Sequence, residues 1–240
     1  MKKIFLILNI LALGMCASCD TEDTAGVSRI TNFAVFNLEG DQEILLEKGE
    51  EYVEPGATAE EAGEPVEVSA SSSGVFRGGE LDTDVADIYN VFYTAVNQDG
   101  YEASATRTVV VADNGDLVED ISGLYRSTVV RDGTADPQYA NMEYVLIWEK
   151  SDGTFEISDG IGGYYMFGRN YGVTYAARGA TVTVNGLNDY SFGPAFSVGA
   201  FGGSAEITEM TVDPDAGTID FTTVWDAGYS FAVHLEQVEL

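Results

Sequence analysis

Ile88-Tyr89-Asn90-Val91-Phe92-Tyr93-Thr94-Ala95-Val96 runs into Asn97-Gln98-Asp99-Gly100, and Ala103-Ser104-Ala105-Thr106-Arg107-Thr108-Val109-Val110-Val111 follows. The first run is rich in β-branched and aromatic residues, the second ends in β-branched ones, and the segment between them is turn chemistry. Apolar residues recur at no helical spacing, so the stretch reads as two antiparallel strands joined by a turn. Phe33-Ala34-Val35-Phe36, Glu43-Ile44-Leu45-Leu46-Glu47 and Pro65-Val66-Glu67-Val68-Ser69 lie upstream. They are shorter strand patterns bounded by Gly, Asp and Pro. Residues 29–112 therefore read as a β-sandwich.

Downstream, Asp113-Asn114-Gly115-Asp116-Leu117-Val118-Glu119-Asp120 reads as a polar linker, and residues 121–240 are again β-rich. Gly123-Leu124-Tyr125-Arg126-Ser127-Thr128-Val129-Val130-Arg131 opens this half. Tyr144-Val145-Leu146-Ile147-Trp148-Glu149 and Phe155-Glu156-Ile157-Ser158-Asp159 flank a Lys150-Ser151-Asp152-Gly153-Thr154 turn. Ala205–Val212 and Thr218–Trp225 flank Asp213-Pro214-Asp215-Ala216-Gly217, and Tyr229–Glu236 closes the pattern. The expectation is a second antiparallel β domain, a barrel or a sandwich. The fold class is all-β.

The chain opens with Met1-Lys2-Lys3 and an apolar run from Ile4 to Leu13. A run of this length suits an export signal and is too short to span a membrane, which takes about 20 apolar residues. Ala17-Ser18-Cys19 then resembles a bacterial lipobox, although Cys16 stands where Leu, Val or Ile is usual. The resemblance implies a signal peptide over 1–18, lipidation at Cys19 and a tether over 19–28. The acidic run Asp20-Thr21-Glu22-Asp23 resembles the surface-export signal of Bacteroidetes lipoproteins. It implies an outer-membrane protein facing the exterior. With only two Cys, both in this region, a disulfide framework is excluded.

Forty acids stand against 11 Lys and Arg, a net charge of −29. Loss of the leader removes Lys2 and Lys3 and makes it −31. Such a surface repels nucleic acid and anionic membranes. The 13 Tyr and 12 Phe supply enough apolar area for folded domains in spite of that charge.

Lys48-Gly49-Glu50-Glu51-Tyr52-Val53-Glu54-Pro55-Gly56-Ala57-Thr58-Ala59 resembles the signature of bacterial immunoglobulin-like surface modules of the crystal-protein and hyaline-repeat type. The Tyr93-Thr94-Ala95 … Asp99-Gly100 … Arg107–Val111 stretch is similar to that family's last hairpin. The resemblance implies that Tyr52 packs in the core, that Pro55-Gly56 turns the chain, and that the module is a spacer or stalk without catalytic residues. The order of strands and turns over 121–240 resembles the C-terminal domain of small Bacteroidetes outer-membrane lipoproteins. These are encoded beside a TonB-dependent transporter and its SusD-like lipoprotein, which are the partners so implied.

Reactive chemistry is sparse. His234, the one histidine, alternates with Val233 and Leu235 and is expected to face away from the core. Asp82, Asp84 and Asp87 in one loop, and Asp113 and Asp116 at the junction, are the weak Ca²⁺ candidates; no other cofactor is expected. The unusual segment is 160–203, with eleven glycines among many aromatics. These rings either fill a core or form a recognition surface, and Tyr164, Tyr165, Tyr171 and Tyr175 are the candidate contacts. The function expected is a non-catalytic binding or accessory component of nutrient uptake, with a glycan or oligopeptide ligand. A structural or adhesive surface protein and a carboxylate-dependent hydrolase are the alternatives.

Overall fold

The computed structural model describes residues 30–240. The leader over 1–18, Cys19 and the tether over 19–28 lie outside the described residues. The fold is mostly β, an Ig-like N-terminal domain followed by a curled antiparallel half-barrel sheet.

The N-terminal sandwich pairs β1 (Val35–Leu38), β3 (Ala57–Glu61) and β4 (Glu64–Val66) in one sheet. The facing sheet runs β2 (Glu43–Glu47), β7 (Glu102–Ala112), β6 (Asp87–Val96), β5 (Ser69–Gly74). β2 and β7 are parallel, with Glu43 opposite Thr108 and Glu47 opposite Ala112. β6 and β7 form the expected hairpin, with Asp87 opposite Val111 and Val96 opposite Glu102.

Side chains alternate across a strand, so the two faces of β6 and β7 serve different cores. Tyr89, Val91, Tyr93, Val109 and Val111 fill the sandwich. Ile88, Val110 and Ala112 pack instead with Leu124, Tyr144, Leu146 and Trp148 of the C-terminal half. Burial on both faces explains why Val109–Val111 and Tyr144–Trp148 are unbroken apolar runs.

The signature around Tyr52 is explained by a buried charge. Arg107 has no exposed surface and pairs with the Glu54 carboxylate. It also bonds Tyr93 Oη and, through Nε, the Asp41 carbonyl at 2.9 Å. Tyr52 donates to Glu54 Oε2 at 2.6 Å, and Gly56 N–H donates to Oε1 at 2.7 Å. Tyr52 is thus half-buried with its hydroxyl on Glu54, and Gly56 takes a left-handed φ of 95°.

The C-terminal sheet uses β8 (Gly123–Arg131), β9 (Met142–Glu149), β10 (Phe155–Ile157), β11 (Ala180–Gly186), β12 (Asp189–Phe192), β13 (Phe196–Val198), β14 (Gly202–Asp213), β15 (Thr218–Trp225) and β16 (Tyr229–Gln237). Their order is β12-β11-β10-β9-β8-β16-β15-β14-β13, nine strands curled about one core. It is a half-barrel whose hydrogen bonding is open between β12 and β13. Asn188, in the β11–β12 turn, bridges toward the far side by accepting from Val212 N–H at 2.7 Å and donating to its carbonyl at 3.2 Å. A bulge in β14 between Ile207 and Glu209 shifts the parity, so Ala205 and Ile207 and then Met210 and Val212 all point inward.

The stretch read as a linker is folded. Asp116 Oδ1 accepts from the amides of Val118, Glu119 and Asp120, and Leu117 is buried in the C-terminal core.

Candidate functional site

Between β10 and β11 the chain leaves the sheet and fills the half-barrel. Thr223 Oγ1 donates to the Gly160 carbonyl at 2.5 Å, and Ser127 Oγ donates to that of Gly162 at 2.8 Å. Gly162 has φ 67°, and a Cβ there would meet Val129, Val233 and Ser127 at 2.7–2.8 Å. No other residue lets the chain pass so close to the wall. After Gly163 the backbone makes one wide turn of π type over Tyr164–Gly168. Such turns concentrate at functional sites.

That turn sorts the candidate tyrosines. Tyr164 is 2% exposed and stacks on Tyr139 with centroids 4.1 Å apart. Tyr165 is 8% exposed and packs at 4.7 Å on Phe201. The expectation that these two offer contact area is corrected: the wide turn points both into the sheet. Burial pushes the Tyr165 hydroxyl above its ordinary value, against the opposing Arg131 side chain.

Tyr171 is 49% exposed and lies parallel to Tyr165 at 6.2 Å. Tyr175 is half-buried, 5.1 Å from Tyr171 and 5.0 Å from Phe201. Phe201, itself 47% exposed, carries the series on to Trp225 at 6.2 Å, and Trp225 to Tyr229 at 5.7 Å. Trp225 and Tyr229 face each other across the β15–β16 hairpin. The Arg131 guanidinium sits 4.9 Å from the Tyr229 ring and 5.2 Å from Tyr164. The result is a surface platform of Tyr171, Tyr175, Phe201 and Tyr229 on the buried rings of Tyr165 and Trp225. Its supports are stiff: Gly199 has φ 45°, and a Cβ there would fall 2.5 Å from the Tyr175 backbone. Trp225 Nε1 donates to the Gly202 carbonyl at 3.2 Å. Trp225, Tyr229 and Arg131 were not among the residues expected here, and Phe201 lies in the expected 160–203 segment without being one of the four tyrosines singled out. The Trp225–Tyr229 spacing around Asp226-Ala227-Gly228 was the signal for that pair.

The other candidates have local duties. His234 lies on the outer face, half-buried, with Nδ1 2.7 Å from Asp220 and Nε2 3.5 Å from Glu236. The acids named as weak Ca²⁺ candidates mostly make local bonds. Asp87 is buried, and its oxygens accept from the amides of Phe76, Arg77 and Ile88. Burial raises its carboxyl above the ordinary value, against those bonds. Asp82 accepts from the Asp84 amide. Asp113 pairs with Lys48 at 2.8 Å, and Asp116 is spent on its own turn. Among the described residues no three His, Cys, Asp or Glu side chains are placed to hold a metal ion.

Residues 36–111 match the family model described as a bacterial surface protein, Ig-like domain. Residues 114–237 match a second family model, described as a C-terminal domain. The crystal structure of the lipoprotein BT2262 from Bacteroides thetaiotaomicron is similar, at 32% identity and a TM-score of 0.65. The match covers 85% of this chain and 100% of that one. The chain belongs to the family of that lipoprotein. A lipoprotein relative and a surface-protein domain together give a cell-surface location. None of the curated proteins matches this chain.

Proposed function

We propose that this protein is a non-catalytic binding component of a nutrient-uptake system. It is held on the exterior of the outer membrane through lipidated Cys19 and works beside a TonB-dependent transporter and its SusD-like lipoprotein. The observation that supports the reading is the platform of Tyr171, Tyr175, Phe201 and Tyr229. Rings held on a rigid end of a β domain give flat contact area at little entropic cost, for the C–H faces of a glycan or the side chains of an oligopeptide. No catalytic role is assigned, because His234 is engaged by acids and the buried carboxylates serve the fold. The acidic surface suits neutral or cationic ligands.

The test is calorimetric titration with neutral polysaccharides and mixed oligopeptides, using the wild type and the Tyr171→Ala and Phe201→Ala variants. Each variant is expected to weaken binding by about tenfold, since a buried aromatic contact contributes 1–2 kcal/mol or more. Binding unchanged in both variants would remove the platform from the account. Affinity purification from detergent-solubilised outer membrane is expected to bring down the transporter pair. Recovery of the protein alone would count against the accessory role.

A further inference from the structure

A second concave site lies where the two halves meet, lined by none of the four platform rings. It is a cleft of about 470 Å³, large enough for a small ligand. Its floor is apolar: Val75 and Ile88 come from the sandwich, and Met166, Phe167 and Val173 from the segment that fills the half-barrel. Asn90 and Phe92 continue the same face of β6 toward the rim, where Phe92 is 37% exposed.

The polar wall has one sign. Glu43 of β2 and Glu143 of β9 line the cleft from opposite halves, and no Lys, Arg or His lines it. Neither acid has a salt bridge among the described residues. Tyr144 donates to Glu43 Oε1 at 2.8 Å, which holds that carboxylate in place. Burial and the Glu43 carboxylate push the Tyr144 hydroxyl up to about 12, so it remains a donor. Arg126 lies over the Tyr144 ring, at 5.3 Å, and is not part of the lining. An anion would meet two carboxylates and no counter-charge. A wholly apolar molecule would cover the floor and make no use of the two carboxylates. A protonated amine answers both, and an apolar body beside it covers the floor.

We propose that the interdomain cleft binds a small apolar ligand with a protonated amine, as in the amino-terminal end of a hydrophobic peptide. The amine sits between Glu43 and Glu143, and the apolar side chain rests on Ile88, Met166 and Phe167. The site is independent of the aromatic platform, and its failure would leave that reading untouched.

Phenylalanyl-leucinamide and its N-acetyl form are the probes, titrated calorimetrically into the full chain. The free amine is expected to bind. Acetylation, and separately Glu143→Gln, should each weaken binding about tenfold, as for loss of a hydrogen bond to a charged group. Glu143 is exposed, so that variant keeps the fold. Asn90→Trp, which fills the cleft, should abolish the heat of binding. Equal binding of the acetylated probe, no effect of Glu143→Gln, or no binding of the free amine by the wild type would each overturn the proposal.

Discussion

At the scale of single residues, the partly solvated Glu54 and the buried Asp159 set opposite pH dependences. Burial pushes Glu54 up, but hydrogen bonds from Tyr52, Tyr93 and the Gly56 amide, with the Arg107 charge, bring it below its ordinary 4.5. The folded chain therefore binds that proton less tightly than the unfolded one. The stabilisation is complete above pH 4.5 and is lost as pH falls through the depressed value. Glu54→Gln leaves Arg107 buried without its partner. It should cost about 2 kcal/mol in urea denaturation at pH 7, less than for a fully buried pair because Glu54 is partly solvated. Asp159 behaves in the opposite sense. It has no exposed surface, and Oδ2 has no hydrogen-bond partner among the described residues. Burial raises it from 3.8 to about 6, against the Ile161, Ala177 and Gly163 amides. The folded chain binds this proton more tightly, so stability should fall as pH rises from 3.8 to about 6 and then level off. The expected loss is about 3 kcal/mol. Denaturation of Asp159→Asn over the same window should lack that slope; an unchanged slope would assign it to another group.

At the scale of elements, the curled sheet depends on one side chain at its open side. Asn188 has φ 59° and bonds both backbone groups of Val212. Asn188→Gly keeps the left-handed turn and loses the bonds, at about 1–2 kcal/mol. Asn188→Ala loses both and should cost about 1 kcal/mol more by denaturant titration. Equal stability of the two variants would show that the turn conformation carries no cost. Strands were the legible part of the sequence, because alternation and turn residues such as Asn97–Gly100 are local signals. The bonds that finish the elements were not. Glu54 meets Arg107 across 53 positions, and the Asn188–Val212 pair spans 24. The same limit governed the platform. Tyr164 and Tyr171 sit in similar glycine-rich surroundings, and only the wide turn sends one inward and leaves the other at the surface.

At the scale of the whole molecule, the two halves share a core. Trp148 is 4% exposed, lies 6.5 Å from Phe76 of the sandwich and carries Arg77 over its ring at 5.8 Å. Lys48 to Asp113, Gln237 Nε2 to the Gly115 carbonyl at 3.1 Å, and Arg178 to the Phe76 carbonyl add polar ties across and beside the junction. Calorimetry of the full chain should therefore give one cooperative transition. Trp148→Ala should cost about 3–5 kcal/mol and split the trace into two transitions. Two transitions already in the wild type would mean that the shared core couples the halves weakly.

The parallel pairing of β2 with β7 has a mechanical consequence. Between β2 and the C-terminal half, tension on a chain held at its amino-terminal end passes through these neighbours as opposed pulls along their length. Their ladder from Glu43–Thr108 to Glu47–Ala112 is then loaded in shear, with every rung sharing the force, instead of opening one rung at a time. A domain built this way resists being stretched between its amino-terminal end and whatever grips the C-terminal half.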